Sequence, residues 1–174
     1  RHVVHLLNNL LDVYRLNEAK EIRNDVSFDL HRLLERTASG FSHVVNNKGI
    51  LFDCDFRDTE VRLYGDADRI EQIIDNLLAN AVKFTDSGTI RFNAAYKDGN
   101  LSLEIKDTGI GMDEDTLSRI FRPFERLVSE MNADGFGLGL SIVHKIVEAH
   151  DGTIEVASTP GEGTVFKLRF PFVA

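Results

Sequence analysis

Two asparagines and a lysine share one face of a predicted helix in the middle of the chain. Asn76 and Asn80 are four residues apart and Lys83 follows three residues later, so their side chains project from the same side of a helix over about 66–84. Magnesium takes oxygen ligands, and a lysine ammonium supplies a point charge to phosphate oxygens. The pattern predicts a surface for a magnesium ion and phosphates, while an amphipathic helix with a solvated polar face has the same spacing.

A second group combines a carboxylate with closely spaced glycines. Asp107 comes directly after a predicted strand and is followed by Gly109 and Gly111. A carboxylate at a strand end can accept a hydrogen bond from an exocyclic amine, and glycines let the backbone approach a flat ring closely. The segment therefore indicates a pocket for an aromatic base, and a simple tight turn is the alternative interpretation.

A third group is a glycine-rich helix start. Gly135, Gly137 and Gly139 open a predicted helix over 137–149. Backbone N–H groups at such a start bind anions, and the helix dipole adds to this attraction. The spacing resembles a dinucleotide fingerprint, but the surrounding pattern is not a βαβ unit. Residues 127–134 are long enough for a lid, and Arg126 at its start could reach a γ-phosphate or remain solvated.

These groups need a framework, and the hydrophobic periodicity predicts an α+β domain for it. Three-four spacing predicts helices over 28–47, 66–84, 113–120 and 137–149, and alternation predicts strands over 50–56, 61–64, 89–96, 101–106, 153–157 and 164–170. The first two strands, joined by a charged turn, are predicted to form a hairpin. Because the order is not a strict βαβ repeat, we expect a two-layer α/β sandwich whose mixed sheet is covered on one face by about three helices.

The N-terminal residues carry a separate helical pattern. Two adjoining apolar stripes between Val3 and Tyr14 make a face too wide for a two-stranded coiled coil, so residues 1–20 are predicted to be a helix of a four-helix bundle. Residues 21–27 are predicted to be a linker and residues 28–174 the main domain. The pattern starts within a helix at Arg1, and we expect the sequence to be a fragment of a longer protein.

Composition argues against several classes of protein. The formal charge of −8 and the isoelectric point near 5.2 provide no broad basic surface for nucleic acid or anionic lipid. The single cysteine, Cys54, cannot form an internal disulfide, and no His/Cys spacing is that of a zinc site. No stretch reaches the roughly 20 apolar residues of a membrane span. We therefore expect a cytoplasmic location, no nucleic-acid partner and no direct membrane contact.

The order of the motifs is similar to that of the ATP-binding domain of sensor histidine kinases. The matching segments, which resemble the N, G1, F, G2 and terminal glycine boxes of that family, are Asn76 to Phe84, Asp107-x-Gly109-x-Gly111, Phe121-x-x-Phe124, Gly135-x-Gly137-x-Gly139 and Gly161-Glu162-Gly163-Thr164. Residues 3–16 resemble the second helix of the family's dimerisation and phosphotransfer domain. The resemblance covers nearly the whole chain and implies the Bergerat-type ATP fold.

The resemblance also implies cofactors and residue roles. ATP and Mg²⁺ are the implied cofactors. Asn76 and Lys83 would be the catalytic pair at the phosphates, and Asn80 would ligate the metal. Asp107 would accept a hydrogen bond from the adenine amine. The other implied nucleotide contacts are Phe84, Gly109, Gly111, Arg126, Gly135, Gly137, Leu138, Gly139, Leu140 and Thr164.

A phosphoacceptor motif is missing from the sequence. None of the six histidines is followed by the Glu/Asp-x-Arg-Thr-Pro type of segment that marks the acceptor in this family. The resemblance thus implies a protein-histidine kinase domain that cannot phosphorylate itself alone. It would donate the γ-phosphoryl group to a histidine outside this sequence, for transfer to a response-regulator receiver domain, within a homodimer formed through the helix bundle. ATP-hydrolysing relatives have a glutamate base in place of Asn76, and since an amide cannot take a proton from water, we expect slow hydrolysis.

Two other functions share the implied fold. A serine kinase of the anti-sigma type would phosphorylate a separate protein, but it would not need the amphipathic segment 1–16. A degenerate nucleotide sensor would use ATP only to change shape, and the complete set of phosphate-facing residues disfavours it.

Overall fold

The computed structural model describes Leu11 and residues 23–122 and 138–174. Its elements, in chain order, are β1 (Val26–Asp29), α1 (Leu30–Asn47), β2 (Leu51–Arg57), β3 (Arg62–Gly65), α2 (Ala67–Phe84), β4 (Thr89–Lys97), β5 (Asn100–Asp107), α3 (Glu114–Leu117), α4 (Gly139–Ala149), β6 (Thr153–Thr159) and β7 (Gly163–Pro171). Apart from Leu11, the predicted bundle helix lies outside the described residues, as do Arg126, Gly135 and Gly137. Among the helices of the described segments, none has the length and apolar character that a bilayer crossing demands.

Five strands form one mixed sheet in the order β2-β4-β5-β7-β6. β2 runs parallel to β4, and every other neighbouring pair is antiparallel. Alternate residues such as Phe92, Leu103 and Leu168 are buried on the face against which α1, α2 and α4 pack. Residues of opposite parity, such as Arg91 and Arg169, are exposed. The predicted two-layer sandwich, with a mixed sheet and three main helices on one face, is therefore confirmed.

The predicted hairpin between residues 50–56 and 61–64 is wrong. β3 pairs with β1 in a separate two-stranded antiparallel sheet, and β2 pairs in parallel with β4, with Leu51 opposite Thr89. Because α2 lies between β2 and β4 in the chain, this parallel pairing is a crossover that packs a helix onto the sheet. It lets Ile73, Ile74 and Leu77 of α2 become fully or almost fully buried, an advantage that a short local hairpin does not offer.

Two predicted helix boundaries also change. Phe28, expected at the start of the first helix, lies in β1, where its ring packs edge-on against Phe172 with centroids 6.2 Å apart. α1 begins instead after Asp29, whose carboxylate accepts from the backbone N–H of Arg32 at 2.9 Å. β1 thus begins at Val26, inside the segment predicted as a linker. The helix expected over 113–120 is the single turn α3.

α2 is the central helix of the covering layer, between α1 and α4. Its N-terminus is capped by the Asp66 carboxylate, which accepts from the backbone N–H of Arg69 at 3.2 Å. At its C-terminus, Lys48 Nζ donates to the carbonyl oxygens of Val82 at 2.6 Å and Thr85 at 2.8 Å. These bonds satisfy carbonyl groups that the helix itself leaves without partners. Both ends of the helix that carries the predicted phosphate surface are thereby fixed.

Candidate functional site

Three neighbouring strands place polar side chains side by side at one end of the covered sheet face. Asp107, the last residue of β5, lies opposite Thr164 of β7, and Thr164 lies opposite Ser158 of β6. Residues directly opposite each other in antiparallel strands project to the same face. Asp107 and Thr164 are only 7% and 8% exposed, so these polar groups lie beneath the helices rather than in bulk solvent.

Backbone donors hold the carboxylate of Asp107. The N–H of Gly109 donates to its Oδ1 at 2.8 Å, and the backbone N–H of Thr164 donates to it as well. Burial raises the pKa of Asp107 above its ordinary value, and these two hydrogen bonds act in the opposite direction. A carboxylate has about four lone-pair positions, so Asp107 keeps the capacity to accept from a further donor.

The loop after Asp107 is fastened to the end of α2. A side chain at Gly109 would collide with the carbonyl oxygen of Phe84, and that oxygen accepts from the backbone N–H of Ile110 at 3.1 Å. The half-buried ring of Phe84 lies 5.1 Å from Lys83 Nζ. The end of the predicted phosphate surface and the glycine loop are therefore held together by backbone contacts.

The same loop is fastened on its other side to the turn between β6 and β7. Gly111 has a φ of +66°, and a Cβ there would collide with the carbonyl oxygen of Thr159. The N–H of Gly161 donates to the carbonyl oxygen of Ile110 at 2.7 Å. Gly163 has a φ of +112° and lies against the backbone carbonyl of Asp107. Glycine is required at these positions because the backbone segments touch.

A cavity of about 40 Å³ lies between these elements. It is lined by Asn80, Ala81, Phe84, Asp107, Ile110, Gly111, Met112, Leu140, Thr164 and Phe166. A few convergent polar groups among apolar walls are typical of a small-molecule site. Ile110, one of the lining residues, is 49% exposed, so the cavity reaches the surface there.

The start of α4 meets the polar face of α2. A Cβ at Gly139 would lie 2.9 Å from Oδ1 of Asn76, whose Nδ2 donates to the carbonyl oxygen of Gln72 at 2.9 Å. Among the described residues, no side chain caps α4, which starts after Leu138. The first N–H groups of a helix have no partners within it and carry partial positive charge. This helix start therefore offers an anion-binding surface next to Asn76.

The structure brings many of the predicted site residues together. Those that line the cavity are Asn80, Phe84, Asp107, Gly111, Leu140 and Thr164. Asn76, Lys83, Gly109 and Gly139 surround it without lining it, and the side chain of Leu138 is buried in the core. The remaining three, Arg126, Gly135 and Gly137, lie outside the described residues. The ligand contacts assigned to all of them stay predictions.

Several lining or supporting residues were missed from the sequence. Ile110 and Met112 are the apolar residues between and after the loop glycines, and Phe166 follows Thr164 by one strand repeat. Ser158 was missed because the predicted strand stopped at residue 157, whereas β6 continues to Thr159. The alternation of Ile154 and Val156 continues at position 158, and this signal could have placed Ser158 on the covered face.

Two larger hollows lie elsewhere on the surface. One of about 250 Å³ lies beside α1 and β3, and one of about 550 Å³ lies on the exposed face of the sheet. None of the predicted site residues lines either of them. The small cavity is the candidate site because it alone of these three hollows joins the carboxylate, the glycine loop and the asparagine face.

Comparisons with known proteins place this arrangement in a family. The family model for histidine kinase-, DNA gyrase B-, and HSP90-like ATPases matches residues 65–174. The autoinducer 2 sensor kinase/phosphatase LuxQ of Vibrio parahaemolyticus and the sensor protein GacS of Pseudomonas syringae are each 33% identical over 98% of this chain. The matches cover 21% and 20% of those two proteins. The chain thus spans about a fifth of the length of these curated relatives.

Solved structures agree with this assignment. Full-length ShkA in complex with AMPPNP superposes with a TM-score of 0.86 at 32% identity, over 99% of this chain and 36% of that one. The catalytic domain of the histidine kinase ThkA in a nucleotide-free form gives 0.73 at 28% identity, over 85% of this chain and 95% of that one. Since the family model also matches more than half of the sequence, the chain belongs to the histidine kinase-, DNA gyrase B- and HSP90-like ATPase family, as an ATP-binding catalytic domain of the sensor histidine kinase type.

Proposed function

We propose that this chain binds ATP with Mg²⁺ in the cavity beside α2 and donates the γ-phosphoryl group to a histidine outside the given sequence. The observation that carries the proposal is the meeting of three groups around one cavity. These are the buried acceptor Asp107, the glycine loop packed against Phe84, and the start of α4 against Asn76. ShkA, the relative with the higher TM-score of the two compared, was solved with AMPPNP.

At the adenine end, Asp107 would accept a hydrogen bond from the exocyclic amine. Burial raises its pKa, but the two backbone donors favour the carboxylate, which is the form that accepts. Thr164 would contact the same edge of the base. Phe84, Ile110 and Met112 would supply the apolar surfaces along the ring faces. Gly109 and Gly111 would keep the backbone close enough to the base for these contacts.

At the phosphate end, the start of α4 and the polar face of α2 would act together. Asn76 touches the start of α4, and Asn80 lies one helical turn further along α2 at the edge of the cavity. The described residues hold no cluster of three or more His, Cys, Asp or Glu suited to a metal ion. Mg²⁺ is commonly held by few protein groups together with nucleotide phosphates and water. The amide oxygen of Asn80 fits this role, and Lys83 would neutralise phosphate charge.

The site favours phosphoryl transfer over hydrolysis. Asn76 cannot take a proton from water, and Asp75 is rotated about 100° around the helix from it. The described elements would act by orienting the triphosphate and stabilising its charge. The nucleophile would be an imidazole nitrogen of the acceptor histidine. As the nitrogen–phosphorus bond forms, the bond from the γ-phosphorus to the bridging oxygen breaks and ADP leaves with the electron pair.

The remaining steps would involve the longer protein. Its helix bundle, of which residues 1–20 would form one helix, would carry the acceptor histidine and dimerise. The phosphoryl group would then pass to an aspartate of a response-regulator receiver domain. LuxQ is named a sensor kinase/phosphatase, and on this likeness we propose a cytoplasmic signalling domain of this kind.

The decisive experiment combines binding with transfer. Calorimetry should show ATP binding that weakens when EDTA removes Mg²⁺ and when Asp107→Asn or Asn80→Asp is introduced. A separately produced bundle domain of the parent protein and labelled ATP should then give acid-labile phosphate on histidine. Acid-stable phosphoserine on a partner would favour the serine kinase instead, and binding without any transfer would favour the nucleotide sensor. No affinity of the wild-type chain for ATP would refute the proposal.

A further inference from the structure

The hydroxyl of Ser158 makes three contacts next to the candidate site. Its Oγ lies 2.8 Å from the backbone nitrogen of Met112, 2.9 Å from the carbonyl oxygen of Gly163 and 2.8 Å from Oγ1 of Thr164. A backbone N–H can only donate and a carbonyl oxygen can only accept, whereas a hydroxyl has one proton and two lone pairs. The proton of Ser158 is therefore directed at Gly163, and its lone pairs accept from Met112 and from Thr164.

This assignment fixes the direction of the Thr164 hydroxyl. Its only proton points to Ser158, away from the cavity that Thr164 lines, so only its lone pairs remain for a ligand. The neighbouring carboxylate of Asp107 also accepts hydrogen bonds. The sheet side of the cavity thus presents two acceptors and no side-chain donor. Without Ser158, the Thr164 hydroxyl could rotate and donate into the cavity.

We propose that Ser158 determines base specificity by fixing the Thr164 hydroxyl as an acceptor, so that the site selects 6-aminopurine over 6-oxopurine nucleotides. The inference rests on the proposed ATP binding. A 6-amino group, or a water held between it and the hydroxyl, can donate to this surface. A 6-oxo group in the same position would place a third acceptor against these two. The N1–H of a 6-oxopurine, where adenine has an acceptor nitrogen, lies one ring position away and cannot satisfy O6 itself, so O6 would lack a hydrogen bond, which is costly in a buried site. Ser158 is a positioning residue, since it acts through Thr164.

A purely structural role for Ser158 makes a different prediction. By accepting from Met112, Ser158 also ties the glycine loop to β6. If this tie were its whole contribution, loss of the hydroxyl would weaken all purine nucleotides by the same factor. The ratio of the dissociation constants for ITP and ATP separates the two roles, because a general loosening of the loop cancels in that ratio.

The experiment measures both dissociation constants, with Mg²⁺, by calorimetry. The wild-type chain should prefer ATP, and Ser158→Ala should lower the ITP/ATP ratio by at least about tenfold. Ser158→Thr, which retains a hydroxyl, should preserve the ratio. Ser102→Ala, an exposed position of β5 on the opposite sheet face, should leave both constants unchanged.

A second variant protects the test against misfolding of the first. Thr164→Val removes the hydroxyl that Ser158 orients, so it should also lower the ratio, and adding Ser158→Ala in that background should change the ratio no further. Equal weakening of ATP and ITP in Ser158→Ala would overturn the inference while the proposed function stands. A wild-type chain that binds neither nucleotide would overturn both.

Discussion

A methyl group at Gly111 probes how tightly the glycine loop is held. Gly111 has a φ of +66°, and a Cβ there would collide with the carbonyl oxygen of Thr159 and lie 3.2 Å from Cα of Pro160. Both neighbours are backbone atoms, so no side-chain rotation can relieve the overlap. Either the loop or the β6–β7 turn has to move, and the cavity wall moves with it.

The chain offers a matched control at Gly49. Its φ of +71° is nearly the same, but a Cβ there would meet nothing within 4 Å. A left-handed conformation costs a non-glycine residue about 1–2 kcal/mol, partly offset by about 0.4–1 kcal/mol from the reduced entropy of the unfolded chain. Both alanine variants share this cost. Forcing an extra methyl group into a packed region lowers stability by a further amount of about 1–3 kcal/mol. Only Gly111→Ala has this additional loss.

Urea and thermal unfolding measure the difference directly. Gly111→Ala should be less stable than Gly49→Ala by about 1–3 kcal/mol, which corresponds to roughly 2–12 °C in Tm for a domain of this size. ATP affinity should fall in Gly111→Ala and stay at the wild-type value in Gly49→Ala. Equal losses of stability in the two variants, or undiminished ATP binding by Gly111→Ala, would refute the assignment of a rigid loop.

Two further predictions concern Lys48 and Asp107. Lys48→Met should lower the free energy of unfolding by about 1–2 kcal/mol, because Val82 and Thr85 lose a charged donor that is about a third exposed; urea denaturation checks this against the exposed control Lys97→Met. ATP affinity should fall on acidification from a higher pH than an ordinary aspartate would give, because burial raises the pKa of Asp107. In the nucleotide-free chain, a pKa of Asp107 that is higher in the folded state than in the unfolded state means that the folded state binds the proton more tightly. The contribution of Asp107 to the free energy of unfolding should therefore increase as the pH falls through its folded-state pKa. Calorimetry of Asp107→Asn over the same pH range should show no loss of ATP affinity from protonation at this position. An ATP affinity with the same pH dependence in Asp107→Asn and the wild-type chain would contradict the prediction.

The layer structure was predictable because the buried face of each helix or strand requires apolar residues at a regular spacing in the sequence. The stripe Ile70, Ile73, Ile74 and Leu77 identified α2, and the alternation in β4, β5 and β7 identified the inner strands. Strand partners were not predictable in the same way. Nothing in residues 50–64 shows that β2 will pair with a strand beyond α2, since that choice is made by the packing of the helix and not by the turn.

The site was predictable where a residue type is needed at a fixed spacing along one element. Asn80 and Asp107 were found in this way, and both line the cavity. Contacts between distant segments leave no such trace. The backbone nitrogen of Met112 bonds to Ser158 from 46 residues away, and the sequence shows only an apolar residue and a small polar one. The hydrogen-bond polarity of the pocket therefore emerges only from the register of β6 and β7.

A chain with a formal charge of −8 has to bind a polyphosphate against its own field. The attraction must come from groups close to the phosphates, because solvent and salt screen more distant charges. The start of α4 beside Asn76 supplies partial positive charge without adding a basic residue, and Lys83 adds one full charge at the end of α2. A divalent cation would halve the charge of a tetra-anionic nucleotide before it approaches. The proposed dependence on Mg²⁺ thus has a second cause besides ligation by Asn80: the metal reduces the repulsion that the acidic surface exerts on the nucleotide.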